Sequence, residues 1–161
     1  MKKLQQLELS VTLISGTIPE VLFDLTDLYY LNIGLNRMSG TISSKLAQLT
    51  NLRQLYLNSS PDPKVKQHFE GALPTAVFDL HELEYLYLSD NGFTGSFPDN
   101  DDLDRTWRNL TLLDIGDNAL NGTLPMSLFD IRTLETLYVD SNAFTYVCLA
   151  CVSECVKRGQ T

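Results

Sequence analysis

The chain has 161 residues, of which 43% are apolar, and a formal net charge of −8 at pH 7. Its length fits one folded domain, and no apolar run is long enough to span a bilayer. Because binding to phosphate needs a basic surface, the pI near 4.6 argues against nucleic acid and favours a neutral or basic partner.

The chain starts at Met1, Lys2 and Lys3 and runs directly into an apolar pattern. No apolar stretch follows the two lysines, so a signal peptide is not visible. No polar capping segment is visible either, although stacked repeats usually need one. Two explanations stay open: a longer protein trimmed at its N-terminus, or a degenerate first repeat. Either way, we expect an uncapped first turn that could associate with another copy.

The pattern L-x-x-L-x-(L/I/V) recurs along the chain, and its first three copies are 24 residues apart. The six blocks are Leu4-Leu7-Leu9, Leu28-Leu31-Ile33, Leu52-Leu55-Leu57, Leu83-Leu86-Leu88, Leu110-Leu113-Ile115 and Leu134-Leu137-Val139. A repeat of this length indicates a solenoid, which presents an extended surface instead of a closed pocket. The alternation predicts a short strand in each block, with the leucines inward.

A second motif follows five of the blocks and has a glycine at its third position. Its copies are residues 14–19, 38–43, 69–74, 93–98 and 120–125. The glycine suits a tight bend, and the proline that closes four of the copies fixes φ at the start of an outer segment. We expect apolar residues of that segment to pack inward, and these are Leu22, Leu25, Leu46, Leu49, Phe78, Leu80, Phe129 and Ile131.

Together the two motifs resemble the plant-type leucine-rich repeat family, whose units read L-x-x-L-x-L-x-x-N-x-L-x-G-x-(I/L)-P. The resemblance covers most of the chain. It implies an α/β solenoid, a leucine-rich repeat horseshoe of about six repeats with short parallel strands on the concave face. The subclass also occurs outside plants, so the organism is not fixed. We assign residues 1–145 to the solenoid and 146–161 to a C-terminal cysteine-containing cap or tail.

The Asn after each strand is expected to bond buried backbone groups of adjacent turns, which cannot be left unpaired. Asn36, Asn91, Asn118 and Asn142 hold this place. Thr12 and Ser60 replace it in the first and third units, which predicts a weaker ladder there.

Two units are longer than the period. The third has 7 extra residues around 60–68, either a binding loop or a tolerated surface insertion. The fourth has 3 extra residues around 99–107, on the convex side. The carboxylates there could hold Ca²⁺, but the spacing lacks features of a helix-loop-helix calcium site, so an acidic helix start is the preferred interpretation.

Outward strand positions are the candidate recognition surface, and five of the seven tyrosines occupy the 12 such places. The predicted partner-binding residues are Tyr30, Asn32, Tyr56, Tyr85, Tyr87, Asp90, Asp114, Tyr138 and Asp140. Tyr offers rigid, amphipathic contact area, although it also fills exposed strands simply because it has high strand propensity. Leu35 and Leu112 are expected to add exposed apolar area.

The C-terminal tail carries Cys148, Cys151 and Cys155. A tetrahedral zinc site would need a fourth ligand, and disulfide pairing leaves one thiol over, so an intermolecular bond, a missing partner cysteine or three buried thiols all stay open. The resemblance implies cysteine-paired caps and an exported setting, extracellular or at the cell surface, with a cytoplasmic location as the alternative. Sequons at Asn58, Asn109 and Asn121 matter only in a secreted protein.

No catalytic motif is present: there is no phosphate loop, no H-E-x-x-H and no G-x-S-x-G. We therefore expect no enzyme activity, no cofactor and no metal. The preferred function is recognition of a protein or peptide, possibly basic, by the concave face. The alternatives are an inhibitor of a secreted enzyme and a structural or adhesive surface protein, with carbohydrate as a weaker ligand option.

Overall fold

The leucine blocks form a six-stranded parallel sheet, which we call the front sheet. The computed structural model describes residues 3–60, 62, 67–98 and 102–146. The front strands are β1 (Gln6–Glu8), β3 (Tyr30–Asn32), β5 (Gln54–Tyr56), β7 (Tyr85–Tyr87), β9 (Leu112–Asp114) and β11 (Thr136–Tyr138). They lie in chain order, so each unit stacks on the one before it. The predicted solenoid of six repeats with short parallel strands is confirmed.

Several predictions concern residues outside these ranges. The cap or tail beyond residue 146, with Cys148, Cys151 and Cys155, is one of them. Residues 61 and 63–66 of the long insertion and residues 99–101 of the acidic run also lie outside the described residues.

The core is built from the inward positions of the blocks. In the second unit Leu28, Leu31 and Ile33 are fully buried, and the same holds for the blocks of the next three units. In the first and last units these positions are half-buried and pack against the core from one side. A solenoid unit contacts only its neighbours, so its core closes only where a unit lies on each side.

A second parallel sheet, the back sheet, runs through the glycine motifs. Its strands are β2 (Ser15–Gly16), β4 (Arg37–Gly40), β6 (His68–Ala72), β8 (Gly92–Ser96), β10 (Ala119–Thr123) and β12 (Ala143–Tyr146). The sequence predicted a bend at these glycines but not a sheet. Gly40 has φ +90°, and a Cβ there would also lie 3.1 Å from the Thr17 methyl carbon. The strand bends where only glycine fits without strain.

Short helices form the outer side of each turn. Among the described residues, four of these are 3₁₀ helices, at Glu20–Asp24, Ser44–Gln48, Thr75–Asp79 and Met126–Asp130. The fourth-unit helix, α1 (Leu103–Thr106), lies where an acidic helix start was predicted. Of the eight residues expected to pack inward here, five are buried and three are half-buried against the core, which confirms that prediction. Trp107 follows α1, stacks on Phe78 at 4.8 Å and donates from Nε1 to the Val77 carbonyl at 3.1 Å.

An asparagine ladder joins successive turns. Asn118 donates from Nδ2 to the carbonyls of Leu88, Ile115 and Gly116, and its Oδ1 accepts from the Phe93 amide at 3.1 Å. Two of these partners belong to the preceding unit. The ladder residue therefore satisfies backbone groups on both sides of a unit boundary, where water cannot reach them.

The third unit has a weaker ladder, as predicted, because Gln67 replaces only part of the missing asparagine and its Oε1 accepts no hydrogen bond from the described residues. Ser60 stands in the asparagine place, but the fully buried Gln67 donates from Nε2 to the Leu57 carbonyl at 2.7 Å. The side-chain amide that bonds the Leu57 carbonyl thus comes from Gln67, at the C-terminal end of the insertion. In the first unit the Thr12 backbone amide and hydroxyl both donate to Asn36 Oδ1. The asparagine of the second unit therefore also bonds the first turn.

Loss of one ladder amide should be costly. Asn118→Ala removes four hydrogen bonds to the backbone, and each buried group left unpaired costs about 1–3 kcal/mol. We expect the free energy of unfolding in urea to fall by about 2–4 kcal/mol. Asn121→Ala, an exposed position of the back sheet in the same unit, should change it by less than about 0.5 kcal/mol. Equal losses in both variants would contradict the ladder's role.

Candidate functional site

All nine predicted binding residues lie on the front strands or directly after them. Parallel, in-register pairing places Asn32, Tyr56, Tyr87, Asp114 and Tyr138 in one row across the sheet. A second row holds two more of the predicted tyrosines, with a glutamine of β5 between them. The remaining two residues, both aspartates, follow β7 and β11. The tyrosine rows and their flanking acidic residues are called the tyrosine face.

Three of the tyrosines pack against one another. Tyr56 and Tyr87 stack with ring centroids 4.8 Å apart and an interplanar angle of 14°, and Tyr30 tilts against Tyr56 at 5.6 Å. This stacking leaves the three rings half-buried, whereas Tyr138 is 50% exposed. Burial raises the pKa of both Tyr56 and Tyr87, so these hydroxyls stay protonated at neutral pH.

The exposed apolar area is not where the sequence predicted it. Leu35 and Leu112 are both half-buried. The large apolar side chains that are exposed include Val21 and Met126 on the outer helices and Val11 in the turn after β1. The tyrosines therefore supply the apolar contact area of the front sheet.

A hydrogen-bonded carboxylate lies at one end of the tyrosine stack. Glu8 Oε2 accepts from the Tyr30 hydroxyl at 2.6 Å and from Asn32 Nδ2 at 2.9 Å, and Glu8 Oε1 accepts from the Ser10 amide at 2.7 Å. Burial alone would raise the pKa of Glu8, but the bonds from Ser10, Tyr30 and Asn32 outweigh it and lower the pKa from 4.5 to about 2. The bond to Glu8, together with burial, raises the pKa of Tyr30. Glu8 was an outward position but not one of the nine predicted residues.

Two of the predicted residues also hold the chain after their strands. Asn32 Oδ1 accepts from the Gly34 amide and Asp114 Oδ1 accepts from the Gly116 amide, both at 3.1 Å. Asp114 Oδ2 also accepts from the Ser89 hydroxyl at 2.7 Å. An Asn or Asp two residues before a glycine predicts this turn from sequence, because such a side chain accepts a hydrogen bond from the backbone amide two residues later.

The two aspartates that follow strands occupy equivalent turns. Asp90 has φ +57°, and its amide donates to the Gly116 carbonyl at 3.3 Å. A Cβ added at Gly116 would lie 3.2 Å from Asp140 Oδ1 and 3.4 Å from Asp114 Oδ1. These two carboxylates therefore lie close to each other at the end of the strands, beside the tyrosine row.

A polar groove lies along the starting edge of the front strands, and the sequence analysis did not predict it. Its volume is about 680 Å³. Its lining residues mostly flank the Leu that opens a block, and they are Gln5, Asp27, Tyr29, Asn51, Arg53, Gln54, Glu82 and Glu84. None of the nine predicted residues lines it. The sequence feature that could have predicted the groove is the presence of polar residues on both sides of the opening Leu in three consecutive units.

Neither histidine faces the tyrosine face. His68 is exposed on β6, and its ring lies so close to Gly92 that a Cβ there would be 2.5 Å from its Cε1. His81 Nδ1 lies 3.3 Å from the Thr106 carbonyl, beside α1. Within the described ranges, no group of three or more His, Cys, Asp or Glu is arranged to hold a metal ion. The helices described there are also too short and polar to cross a membrane.

The Glu8 network can be tested by titration. Tyr30→Phe removes one of the hydrogen bonds that hold the Glu8 carboxylate, so we expect its pKa, followed by carbon NMR, to rise from about 2 toward 4.5. Since the folded pKa lies below the unfolded one, Glu8 stabilises the fold above about pH 4.5, and this contribution disappears as the pH falls toward 2. Tyr85→Phe, on the same face, should leave the pKa of Glu8 unchanged. A similar Glu8 pKa in wild type and Tyr30→Phe would refute the network.

Comparison with known proteins agrees with this architecture. The Leucine Rich Repeat family model matches residues 82–100. Receptor-like protein 18 of Arabidopsis thaliana is 32% identical over 142 residues, and the match covers 84% of this chain and 15% of the relative. Receptor-like protein 35 of the same plant is 34% identical over 162 residues, covering 84% of this chain and 16% of the relative. The chain thus spans about a sixth of the length of these curated relatives.

Solved structures of leucine-rich repeat ectodomains have the same fold as this chain. A chain in the crystal structure of the Arabidopsis receptor kinase HAESA, in complex with the peptide hormone IDA and the co-receptor SERK1, superposes with a TM-score of 0.77. It is 30% identical, and the match covers 88% of this chain and 22% of that one. A chain of the Arabidopsis thaliana BIR3–SERK2 complex gives a TM-score of 0.68 at 29% identity, covering 87% of this chain and 69% of that one. The two sheets, the asparagine ladder and these matches together establish that the chain is a plant-type leucine-rich repeat protein.

Proposed function

We propose that this chain is a non-catalytic recognition module that binds a peptide or protein on its tyrosine face. The HAESA structure, 30% identical to this chain, is a complex with a peptide hormone and a co-receptor. That likeness supports a ligand of the same general class. The chain spans only part of its relatives, so the activity of a whole receptor is not carried over to it.

The observation that carries the proposal is the stack of Tyr30, Tyr56 and Tyr87 on three adjacent front strands. Stacked rings lose little further freedom when a ligand covers them, because their rotamers are already restricted. Each ring also offers an apolar surface beside a polar hydroxyl, which suits both the backbone and the side chains of a peptide. The more exposed Tyr138 would extend this surface at the far end of the row.

Charge favours a basic ligand. Glu8 is ionised at every physiological pH because its pKa is about 2, and Asp114 lies at the other end of the stack, next to Tyr87 in the strand register. With Asp90 and Asp140 beside the row, the tyrosines are bordered by carboxylates on both sides. A cation over a tyrosine ring gains a further attraction of about 0.5–1 kcal/mol at exposed sites.

An extracellular or cell-surface location fits this role, with residues 1–145 as the solenoid and 146–161 as its cap or tail. The three sequons differ in exposure: Asn121 is exposed on the back sheet, whereas Asn58 and Asn109 are half-buried. Asn58 also packs close to Gly34, since a Cβ there would lie 3.0 Å from Asn58 Oδ1. A glycan at Asn121 would leave the tyrosine face uncovered.

The proposal predicts that the tyrosine stack contributes a large part of the affinity for a peptide ligand. Peptides selected against the wild-type chain from a random phage-displayed library should be enriched in Lys and Arg. Tyr56→Ala with Tyr87→Ala should weaken their binding more than about tenfold, the loss typical of central aromatic anchors. Titration calorimetry would measure the affinities, and circular dichroism would verify that each variant is folded.

The matched control is Val21→Ala with Met126→Ala, which truncates two exposed apolar side chains on the outer helices. This variant should bind the selected peptides as tightly as wild type. If the tyrosine variant were folded and bound equally well, the tyrosine face would not be the binding surface, and the structural or adhesive alternative would gain support.

A further inference from the structure

We propose that the polar groove at the starting edge of the front strands is a second binding site, specific for a neutral oligosaccharide. It goes beyond the proposed peptide recognition, because its lining residues include none of the stacked tyrosines and lie mostly in the segments that lead into the front strands. The volume of about 680 Å³ lies within the range of roughly 300–1,000 Å³ found for small-molecule sites. Four consecutive units contribute to it, so the groove is elongated along the solenoid, as a chain of sugar rings requires.

The groove carries a small net negative charge, because three carboxylates and one arginine line it. Arg53 pairs with Glu84 at 3.6 Å, and Arg108, just outside, pairs with Glu82 at the same distance. Asp27 is the remaining carboxylate, and the ion pairs described for this chain do not include it. A cationic ligand would compete with two arginines, and an anionic ligand would meet three carboxylates. Electrostatics therefore disfavours an anion, and the hydrogen-bonding groups of the lining decide for a neutral ligand.

The lining residues are mostly polar, which disfavours a purely apolar ligand. No aliphatic side chain is among them, so there is little apolar surface to bury. They instead combine carboxylate acceptors, the guanidinium donors of Arg53 and three amide side chains, which can both donate and accept. A sugar hydroxyl also donates and accepts. Paired donors and acceptors along one wall match a polyhydroxylated ligand better than any other neutral class.

Neighbouring bonds fix the orientation of several of these groups. Asn51 donates from Nδ2 to the Thr26 carbonyl at 2.9 Å, which leaves its amide oxygen as an acceptor. Gln54 accepts the Tyr56 hydroxyl at 3.1 Å, which leaves its amide nitrogen as a donor. The Tyr29 hydroxyl accepts from Gln6 Nε2, so this half-buried ring is held at the groove, where a sugar ring can stack on it. Groups already held in place lose less freedom on binding.

The test uses the whole chain and a panel of neutral hexasaccharides built from β-linked glucose, mannose, galactose or N-acetylglucosamine. At least one should bind the wild-type chain saturably in titration calorimetry, with a Kd on the order of 1 mM or tighter. Asp27→Ala with Glu84→Ala removes two acceptors and should weaken binding at least about tenfold. Asp79→Ala with Glu135→Ala removes the same charge at two exposed positions outside the groove and should have no effect.

Amide NMR shifts provide a second measurement that does not depend on a variant. They should change around Gln5, Asn51 and Arg53 when the bound sugar is added. The Tyr87→Ala variant keeps the bond from the Tyr56 hydroxyl to Gln54 and should therefore keep its sugar affinity, which separates this proposal from peptide recognition by the tyrosine face.

Absence of binding across the panel would overturn the proposal. Equal affinity in wild type and Asp27→Ala/Glu84→Ala, or shifts confined to the tyrosine face, would also overturn it. Loss of peptide binding in Asp27→Ala/Glu84→Ala, without any sugar binding, would instead assign the groove to the peptide site.

Discussion

Every feature of this molecule depends on how the buried backbone of one turn is satisfied by the next. A turn of the solenoid is too short to pair its own polar groups, and water cannot reach them inside the core. The ladder asparagines solve this by reaching across unit boundaries, as Asn118 does between the carbonyls of Leu88 and Ile115 and the amide of Phe93. The front strands next to these bonds pair in register from the first unit to the last.

In-register pairing of the front strands aligns the outward residues of successive units into one continuous surface. Equivalent outward positions fall next to one another at the spacing of parallel strands, about 4.8 Å. Aromatic side chains at that spacing can stack, which is what Tyr56 and Tyr87 do at 4.8 Å. The same register collects polar residues beside the opening leucines into the groove at the strand edge. The stacked tyrosines lie on strands, whereas seven of the eight groove residues lie in the segments that lead into the strands.

The sequence predicted those features that repeat in each unit. The solenoid, the six front strands, the ladder asparagines and the inward packing of the outer segments all follow from periodicity, because every copy adds to the same signal. The back sheet was missed because the motif around Gly40 was interpretable as a bend alone. Its pairing depends on neighbouring units, and one unit's sequence does not contain that information.

The details that the sequence did not predict come from contacts found in only one unit of the solenoid. Gln67 takes over a ladder amide because the insertion ends beside Leu57, and nothing in its sequence position marks that role. The half-buried state of Leu35 and Leu112 and the low pKa of Glu8 depend on particular neighbours across strands. The nine predicted binding residues lie on or just after the front strands, yet their part in binding rests on the proposal and not on the fold.

The insertion in the third unit shows how such a surface can vary without losing its geometry. Before the insertion, the Ser59 amide donates to the Ser89 carbonyl, and after it the Phe69 amide donates to Asn91 Oδ1. Gln67 adds a bond to Leu57 at the same junction. The chain is therefore fixed on both sides of the extra residues, so Tyr56 and Tyr87 on either side stay stacked. A segment held in this way can change in length or sequence at little cost to the sheet, since added loop length costs little free energy.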